Sequence, residues 1–135
     1  MSVEGAIVSL LTADVTLSAL VGTRVYPLMA PGDADLPLLV YQEVAETPVR
    51  SLTRRLALTA WRVRFDAFAE SYSSAKAVKN ALLDVLDGYE GTTGGVTIRG
   101  VFRDDSNDSH DPPVHADERG YFSAGIDLAV WYERS

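Results

Sequence analysis

The residues with the greatest potential for chemistry lie between positions 104 and 118, where six carboxylates and both histidines of the chain occur. These side chains are Asp104, Asp105, Asp108, His110, Asp111, His115, Asp117 and Glu118. Carboxylate oxygens and imidazole nitrogens bind Ca²⁺ or Zn²⁺ when several of them converge on one point. A metal centre is therefore the first chemistry to weigh for this acidic segment.

The spacing within the acidic segment argues against both a metal centre and acid–base catalysis. Its acids and glycines do not follow the order of an EF-hand loop, and two consecutive prolines prevent a helix from holding the histidines on one face. Asp104 and Asp105 are adjacent, so in a strand they would point to opposite faces and make a poor catalytic pair. We predict no catalytic residue, no cofactor and no metal, and interpret the segment as a solvated loop that docks on a neighbouring subunit.

Two other motifs of enzymes are missing from the sequence. No Gly-x-Ser-x-Gly stretch frames a nucleophilic serine. Gly91, Gly94 and Gly95 are not followed by the Lys-Ser/Thr ending of a phosphate-binding loop, and they more simply predict a hairpin turn. The alternative from the enzyme class is a small metal-dependent hydrolase that uses the acidic segment.

Three of the twelve basic residues, Arg50, Arg54 and Arg55, form a cluster in the sequence. These arginines could contact DNA phosphates, or they could lie at a solvated loop tip. We favour a third interpretation, a contact between subunits with the acidic segment of a neighbour. The expected interface residues are therefore Arg50, Arg54, Arg55, Asp104, Asp105, Asp108 and Asp111.

Hydrophobic periodicity predicts the elements that must position these residues. Apolar residues at helical spacing predict helices over Val3–Leu11 and Ser71–Leu86, and Asp14 is expected to cap a second short helix that ends at Gly22. Alternation of apolar and polar residues predicts strands. The strands are expected at Arg24–Tyr26, Leu38–Ala45, Thr59–Phe68, Val96–Arg103 and Gly120–Glu133.

The fold class predicted from this order is α+β, with a mostly antiparallel sheet and an N-terminal helix and a longer central helix packed on one face. Thr47–Leu56 is expected to be a loop or the tip of a long hairpin, and Asp104–Glu118 a long acidic loop. The two tryptophans, Trp61 and Trp131, are expected to pack within the sheet. Phe102 is expected to share one strand face with Val96 and Ile98.

Composition and charge narrow the function. The chain has 135 residues, of which 47% are hydrophobic and 23% charged, and these values predict one globular domain over residues 1–135. The net charge of −7 argues against a grip on DNA, which needs a basic face, and suits a channel that DNA passes through. The chain has no cysteine, no apolar run of membrane-spanning length and no signal-peptide pattern, so we expect a protein made in a cytoplasm without a membrane partner.

The segment VGTRVYPLMAPGDADLPLLVYQEV, from Val21 to Val44, resembles the opening of the tail-completion, or tail-terminator, family of tailed phages. In that family a Gly–Arg–Val/Ile–Tyr–Pro strand precedes a Pro-rich loop and a Leu-Pro-x-x-Val-Tyr strand. The matching residues are Gly22, Arg24, Val25, Tyr26, Pro27, Leu36, Pro37, Val40 and Tyr41. The later segments WRVRFDAFAESYSSAKAVKNALLDVLDGYEG and RDDSNDSHDPPVHADERGYFSAGIDLAVWY resemble the family's middle helix and its Asp-rich loop with a long terminal strand, so the resemblance covers nearly the whole chain.

The resemblance implies a structural subunit of the virion. Members of the family form a ring, commonly of six subunits, at the head-proximal end of the tail. The ring stops growth of the tail tube, receives the head connector and lets DNA leave through its central hole. The implied partners are copies of the chain, the tail-tube protein and the connector or head-closure protein, with assembly in the host bacterial cytoplasm. The alternatives within this class are a head-closure subunit and a tube protein.

Overall fold

The computed structural model of the chain describes residues 2–30, 35–50, 55–111 and 121–134, and at 49–50, 55–57, 104–111, 121 and 134 it describes the backbone alone. Within these ranges the chain forms three helices and six strands. They are α1 (Val3–Ala13), α2 (Val15–Val21), β1 (Val25–Pro27), β2 (Leu38–Arg50), β3 (Arg55–Ala69), α3 (Tyr72–Leu86), β4 (Gly91–Thr93), β5 (Val96–Asp111) and β6 (Tyr121–Arg134).

The six strands form one sheet in the order β1-β2-β3-β6-β5-β4. The pairing of β1 with β2 is parallel, and the other described pairings are antiparallel. The sheet is built from two long hairpins, β2–β3 and β5–β6, which join where β3 pairs with β6. The predicted α+β class with a mostly antiparallel sheet is confirmed.

Each helix begins at a residue whose side chain accepts a hydrogen bond from a free backbone N–H. Ser2 accepts from the N–H of Gly5, and Ser71 accepts from that of Ser74. Asp14 ends α1 and begins α2, with its Oδ2 2.8 Å from the nitrogen of Leu17.

Among the described helices, none alone has the length and hydropathy of a membrane span, and only α1 and α2 together, bent by 88°, pass that test.

The core lies between the helices and one face of the sheet. Helix α3 packs on β3 and β6, and α1 and α2 pack beside it. The apolar stripe of α3 meets the inward-facing residues of both strands, as the sequence predicts for Val78 and Leu82. Fully buried members of this core include Trp61, Val63, Phe65, Val78, Leu82, Leu86, Ile126, Leu128 and Val130.

The strands are longer than the sequence predicts. β2 continues to Arg50 and β3 begins at Arg55, so Thr47–Leu56 forms the end of a long hairpin, which is one of the two predicted possibilities. The predicted loop is wrong for 104–111, because these residues continue β5 and pair with β6 as far as Asp111. Asp, Asn and Ser have low strand propensity, but the alternating residues of β6 provide a ready partner for the backbone. Positions 112–118 of the predicted loop lie outside the described residues.

The predicted turn at Gly91–Gly95 is narrower in the structure. Residues 91–93 form β4, which pairs with β5, and the reversal is made by Gly94 and Gly95. Both glycines have positive φ, 58° and 82°, a conformation that residues with a Cβ adopt rarely.

Candidate assembly surface

The face of the sheet opposite α3 carries the side chains that are available to a partner. The strand register places these side chains in rows across four strands. One row contains Thr47, Ala60, Trp131 and Gly100, and the next contains Ala45, Arg62, Ala129 and Phe102. We call this the outer face.

The two rows line an open hollow of about 500 Å³. Its lining residues are Thr47, Ala60, Arg62, Phe102, Ala129 and Trp131. The short side chains of Ala60 and Ala129 lie between larger neighbours in both rows, which leaves the depression. Because Phe102 is 56% exposed, the hollow presents an aromatic edge to solvent.

The exposed ring of Phe102 lies back over its own strand. A Cβ built on Gly100 would be 2.9 Å from Cε2 of this ring, closer than such contacts occur. Gly100 therefore provides the space for this ring, and Trp131, which is opposite Gly100 in the register, lines the same hollow.

The next row of the outer face contains an ion-pair network. Arg64 contacts Asp66 through Nε at 3.2 Å and Nη2 at 3.1 Å, and its Nη1 is 3.4 Å from Oδ1 of Asp127. Partial burial lowers the pKa of Arg64, but the charges and hydrogen bonds of Asp66 and Asp127 outweigh that effect and the net pKa is raised. The network fixes three half-buried side chains beside the hollow and joins β3 to β6.

The residue types of this surface are those that are common in protein interfaces. Among the described residues, no group of three His, Asp or Glu side chains is placed to hold a metal ion. The hollow is wide and carries one cation, Arg62, beside two aromatic rings. Trp, Arg and other aromatic residues are the types that dominate binding energy in protein interfaces.

The arginine cluster and the acidic segment, which are predicted to contact each other between neighbouring subunits, lie far apart within one chain. Arg50 pairs in register with Arg55 at the end of the sheet where β5 begins and β6 ends. The acidic part of β5 runs to the opposite end, where Asp111 pairs with Tyr121. In the described backbone of one chain, these two segments therefore lie apart. Arg54 lies outside the described residues, and Asp104, Asp105 and Asp108 lie along the backbone of β5.

A sequence model of the family described as tail completion protein gp17 matches residues 5–133. The chain belongs to the tail completion protein gp17 family. The structure is also similar to a chain in the solved virion of a native gene transfer agent (GTA) particle, with a TM-score of 0.73 and 18% sequence identity. That similarity covers 98% of this chain and 95% of the other, and it shows a shared fold. A comparison with curated proteins gives no match.

Family membership confirms the resemblance found in the sequence. The tail completion protein is a structural component of a phage tail and is located in the virion. Its family is one of structural virion proteins.

One residue of the surface was misplaced by the sequence. Both tryptophans lie within the sheet as predicted, Trp61 in the core at 2% exposed and Trp131 half-buried on the outer face. Phe102 does not share a face with Val96 and Ile98, because the register shifts between Ile98 and Gly100. A glycine inside a strand is a common sign of such a bulge, so Gly100 is the signal that could have revealed it.

Proposed function

We propose that this tail completion protein forms a hexameric ring at the head-proximal end of the tail. The ring ends growth of the tail tube on one side and receives the head connector on the other. The observation that carries the proposal is the family match over residues 5–133. A tail is complete when the end that must receive the head is closed to further tube subunits.

DNA is proposed to pass through the centre of the ring without specific binding. The net charge of −7 supports this, since a surface of the same sign as DNA lowers the local concentration of phosphate groups. The protein is proposed to act without a catalytic residue, cofactor or metal, and through geometry alone. A heterologous interface that repeats with a closing rotation produces such a ring.

The charged segments are proposed to help set the register between neighbouring subunits. Arg50, Arg54 and Arg55 would face the acids of β5 in the next copy, Asp104, Asp105, Asp108 and Asp111. Because the two segments lie at opposite ends of the sheet, the neighbours must be displaced along the strand direction for them to meet. Exposed ion pairs contribute about 0–1 kcal/mol each, so they would determine register more than strength.

Removal of the gene from the phage or prophage that encodes it tests this function. We expect lysates that contain separate heads and tails, or tails that exceed their normal length, in negative-stain micrographs. A plasmid copy of the wild-type gene should restore joined particles. A copy with Arg54→Glu and Arg55→Glu should restore them poorly, although the variant folds.

The same micrographs separate the alternative functions. Tails of normal length beside heads that have lost their DNA would indicate a head-closure subunit. A complete lack of tails would indicate a tube protein.

Elemental analysis after dialysis tests the hydrolase. One equivalent of Zn²⁺ or Ca²⁺ that wild type retains and that His110→Ala or Asp108→Ala loses would favour this alternative.

A further inference from the structure

The two outermost long strands, β2 and β5, have edges that the short strands cover only in part. On β2, β1 pairs with Leu39–Tyr41, and the N–H of Leu28 donates to the carbonyl of Tyr41 at 2.8 Å. On β5, β4 pairs with residues 96–98, and the N–H of Gly88 donates to the carbonyl of Val101 at 3.0 Å. Across the described ranges, no backbone group bonds to the outer edge of β2 over 42–50 or of β5 over 102–111.

An open strand edge is a template for another strand, because its N–H and C=O groups lack partners within the sheet. Each of the two edges also carries one large apolar side chain in solvent. Val44 on β2 is 59% exposed, and Phe102 on β5 is 56% exposed. Pro48 has no N–H to donate, so the part of the β2 edge that can form main-chain hydrogen bonds with another strand is 42–47.

The directions of β2 and β5 allow these strands to pair between copies that are related by rotation in a ring. Each of the pairings β2–β3, β3–β6 and β6–β5 is antiparallel, so β2 and β5 run in opposite directions within one chain. Rotation about an axis that runs roughly along the strands preserves the direction of each strand. The β2 edge of one copy therefore meets the β5 edge of the next in antiparallel orientation, and the contact uses two different edges, as a ring requires.

We propose that the edge of β2 over 42–47 pairs through main-chain hydrogen bonds with the edge of β5 over 102–111 in the neighbouring copy. This inference rests on the proposed ring and names the surfaces that close it. The occupant of each open edge is a second copy of this chain, joined by extension of the sheet across the subunit boundary.

The positions of the two edges require a stagger between neighbours. The open part of β2 lies toward the end of the sheet that carries Arg50 and Arg55, whereas the open part of β5 lies toward the opposite end. To align them, one copy slides along the strands, and strands tilted by about 35–45° accommodate such a slide in closed sheets. The slide moves the acids of β5 toward the arginines of the neighbour, in the direction that the charged contact requires.

Disulfide trapping tests the inference directly, because the chain has no cysteine of its own. Single variants Val44→Cys and Thr47→Cys on β2, and Arg103→Cys on β5, are assembled into tails alone and in mixtures, then oxidised. We expect dimers when a β2 variant is mixed with a β5 variant, and none from either kind alone. Val15→Cys, on an 84% exposed position of α2, is the control and should give no dimers in any mixture.

A chain that carries both Val44→Cys and Arg103→Cys should give a ladder of cross-linked species up to the whole ring. Hydrogen exchange on the wild-type protein provides a second measurement that does not depend on how the variants fold. Amide exchange over 43–47 and 102–111 should slow at least about tenfold when the protein is assembled in tails, since a slowing of this size corresponds to about 1.4 kcal/mol of protection.

Normally terminated tails that show no β2–β5 cross-link and no slowing of exchange at these edges would overturn the inference and leave the proposed function intact. Dimers from Arg103→Cys alone would also overturn it, since they indicate a two-fold contact of β5 with itself. A different result would contradict the proposed function itself. It is the presence of normal tail ends and joined heads in particles that lack the protein.

Discussion

The indole Nε1 of Trp61 donates a hydrogen bond to Oε1 of Glu43 at 2.6 Å, which ties β2 to the core beyond the point where β1 ends. Glu46 accepts a similar bond from the hydroxyl of Tyr132 on β6. These two glutamates hold the second half of β2, which carries one of the open edges, against strands that are packed on the helices.

Replacement of Glu43 should therefore destabilise the fold. Glu43→Ala leaves the N–H of a tryptophan that is 2% exposed without its acceptor, and we expect a loss of about 1–3 kcal/mol in the free energy of unfolding. Glu43→Gln keeps an acceptor oxygen and should lose less. Urea denaturation measures both, and Gln42→Ala, an exposed neighbour on the opposite face, is the control. Equal midpoints for all three variants would contradict the role given to this bond.

The packing of α3 on the sheet gives a second prediction. Leu82 is completely buried against β3 and β6, so Leu82→Ala should lower the free energy of unfolding by about 2–5 kcal/mol. Asn80→Ala, at an exposed position of the same helix, should change it by less than about 0.5 kcal/mol. A melting temperature for Leu82→Ala within error of wild type would show that the helix does not pack as described.

The hydroxyl of Tyr41 gives a pH dependence. It donates to Oε1 of Glu4 at 2.8 Å, and burial, reinforced by the hydrogen bond and the charge of Glu4, raises the pKa of Tyr41 to about 12. In the unfolded chain the same group ionises near its ordinary value of about 10. The stability that Tyr41 confers is therefore complete below pH of about 10 and is lost as pH rises toward and through about 12.

Tyr41→Phe should flatten the dependence of the unfolding free energy on pH over this range, because no hydroxyl remains to ionise. Glu4→Gln should lower the pKa of Tyr41, since the carboxylate charge is removed. Absorbance titration of tyrosinate and urea midpoints at a series of alkaline pH values measure the two effects. A slope in Tyr41→Phe equal to that of wild type would refute the assignment to this residue.

The outer face should matter for assembly more than for folding. Phe102→Ala removes an exposed ring and is expected to change the unfolding free energy by no more than about 0.5 kcal/mol. If the ring is an interface anchor worth about 2 kcal/mol or more, the variant should restore far fewer infectious particles than wild type. Gly100→Ala, whose new methyl group displaces the same ring, should act in the same direction.

Val15→Ala is the matched control for these two variants, since Val15 is 84% exposed on a helix away from the outer face. Thermal melting and the titre of complemented particles are compared for all three variants. A normal titre for both Phe102→Ala and Gly100→Ala would remove the hollow from the assembly surface.

Much of the fold follows from the sequence, because local patterns are strong where one face is buried. The stripe through Val78 and Leu82 predicts α3, and the alternation from Phe122 to Tyr132 predicts β6 and its buried face. Asp14 is predicted as a cap because an aspartate at the break between two apolar stretches can accept from free backbone N–H groups.

The sequence does not predict where the long strands end. Residues 104–111 contain the acids and polar residues of a loop, but their backbone pairs with β6 because that strand provides partners along its whole length. Such pairing is a property of two distant segments and leaves no local pattern. The face of Phe102 was missed for a different reason, since a single bulge at Gly100 reverses the alternation that follows it.

The sequence predicts less of the assembly surface than of the fold. The clustering of charge singles out Arg50, Arg54 and Arg55 and the acids of β5 as candidate interface residues, and their part in an interface stays a prediction. In the described part of the chain, the open edges of β2 and β5 result from the short length of β1 and β4 and from the strand order. The sequence predicts a short β1 at Arg24–Tyr26, but it predicts neither β4 nor the order of the strands.

Cryo-electron microscopy of the neck of the assembled particle is the direct test of the proposed ring. We expect one ring of six copies between the last ring of tube subunits and the head connector, with an open passage at its centre. Copies repeated along the length of the tube, or a neck in which this chain forms no closed ring, would contradict it.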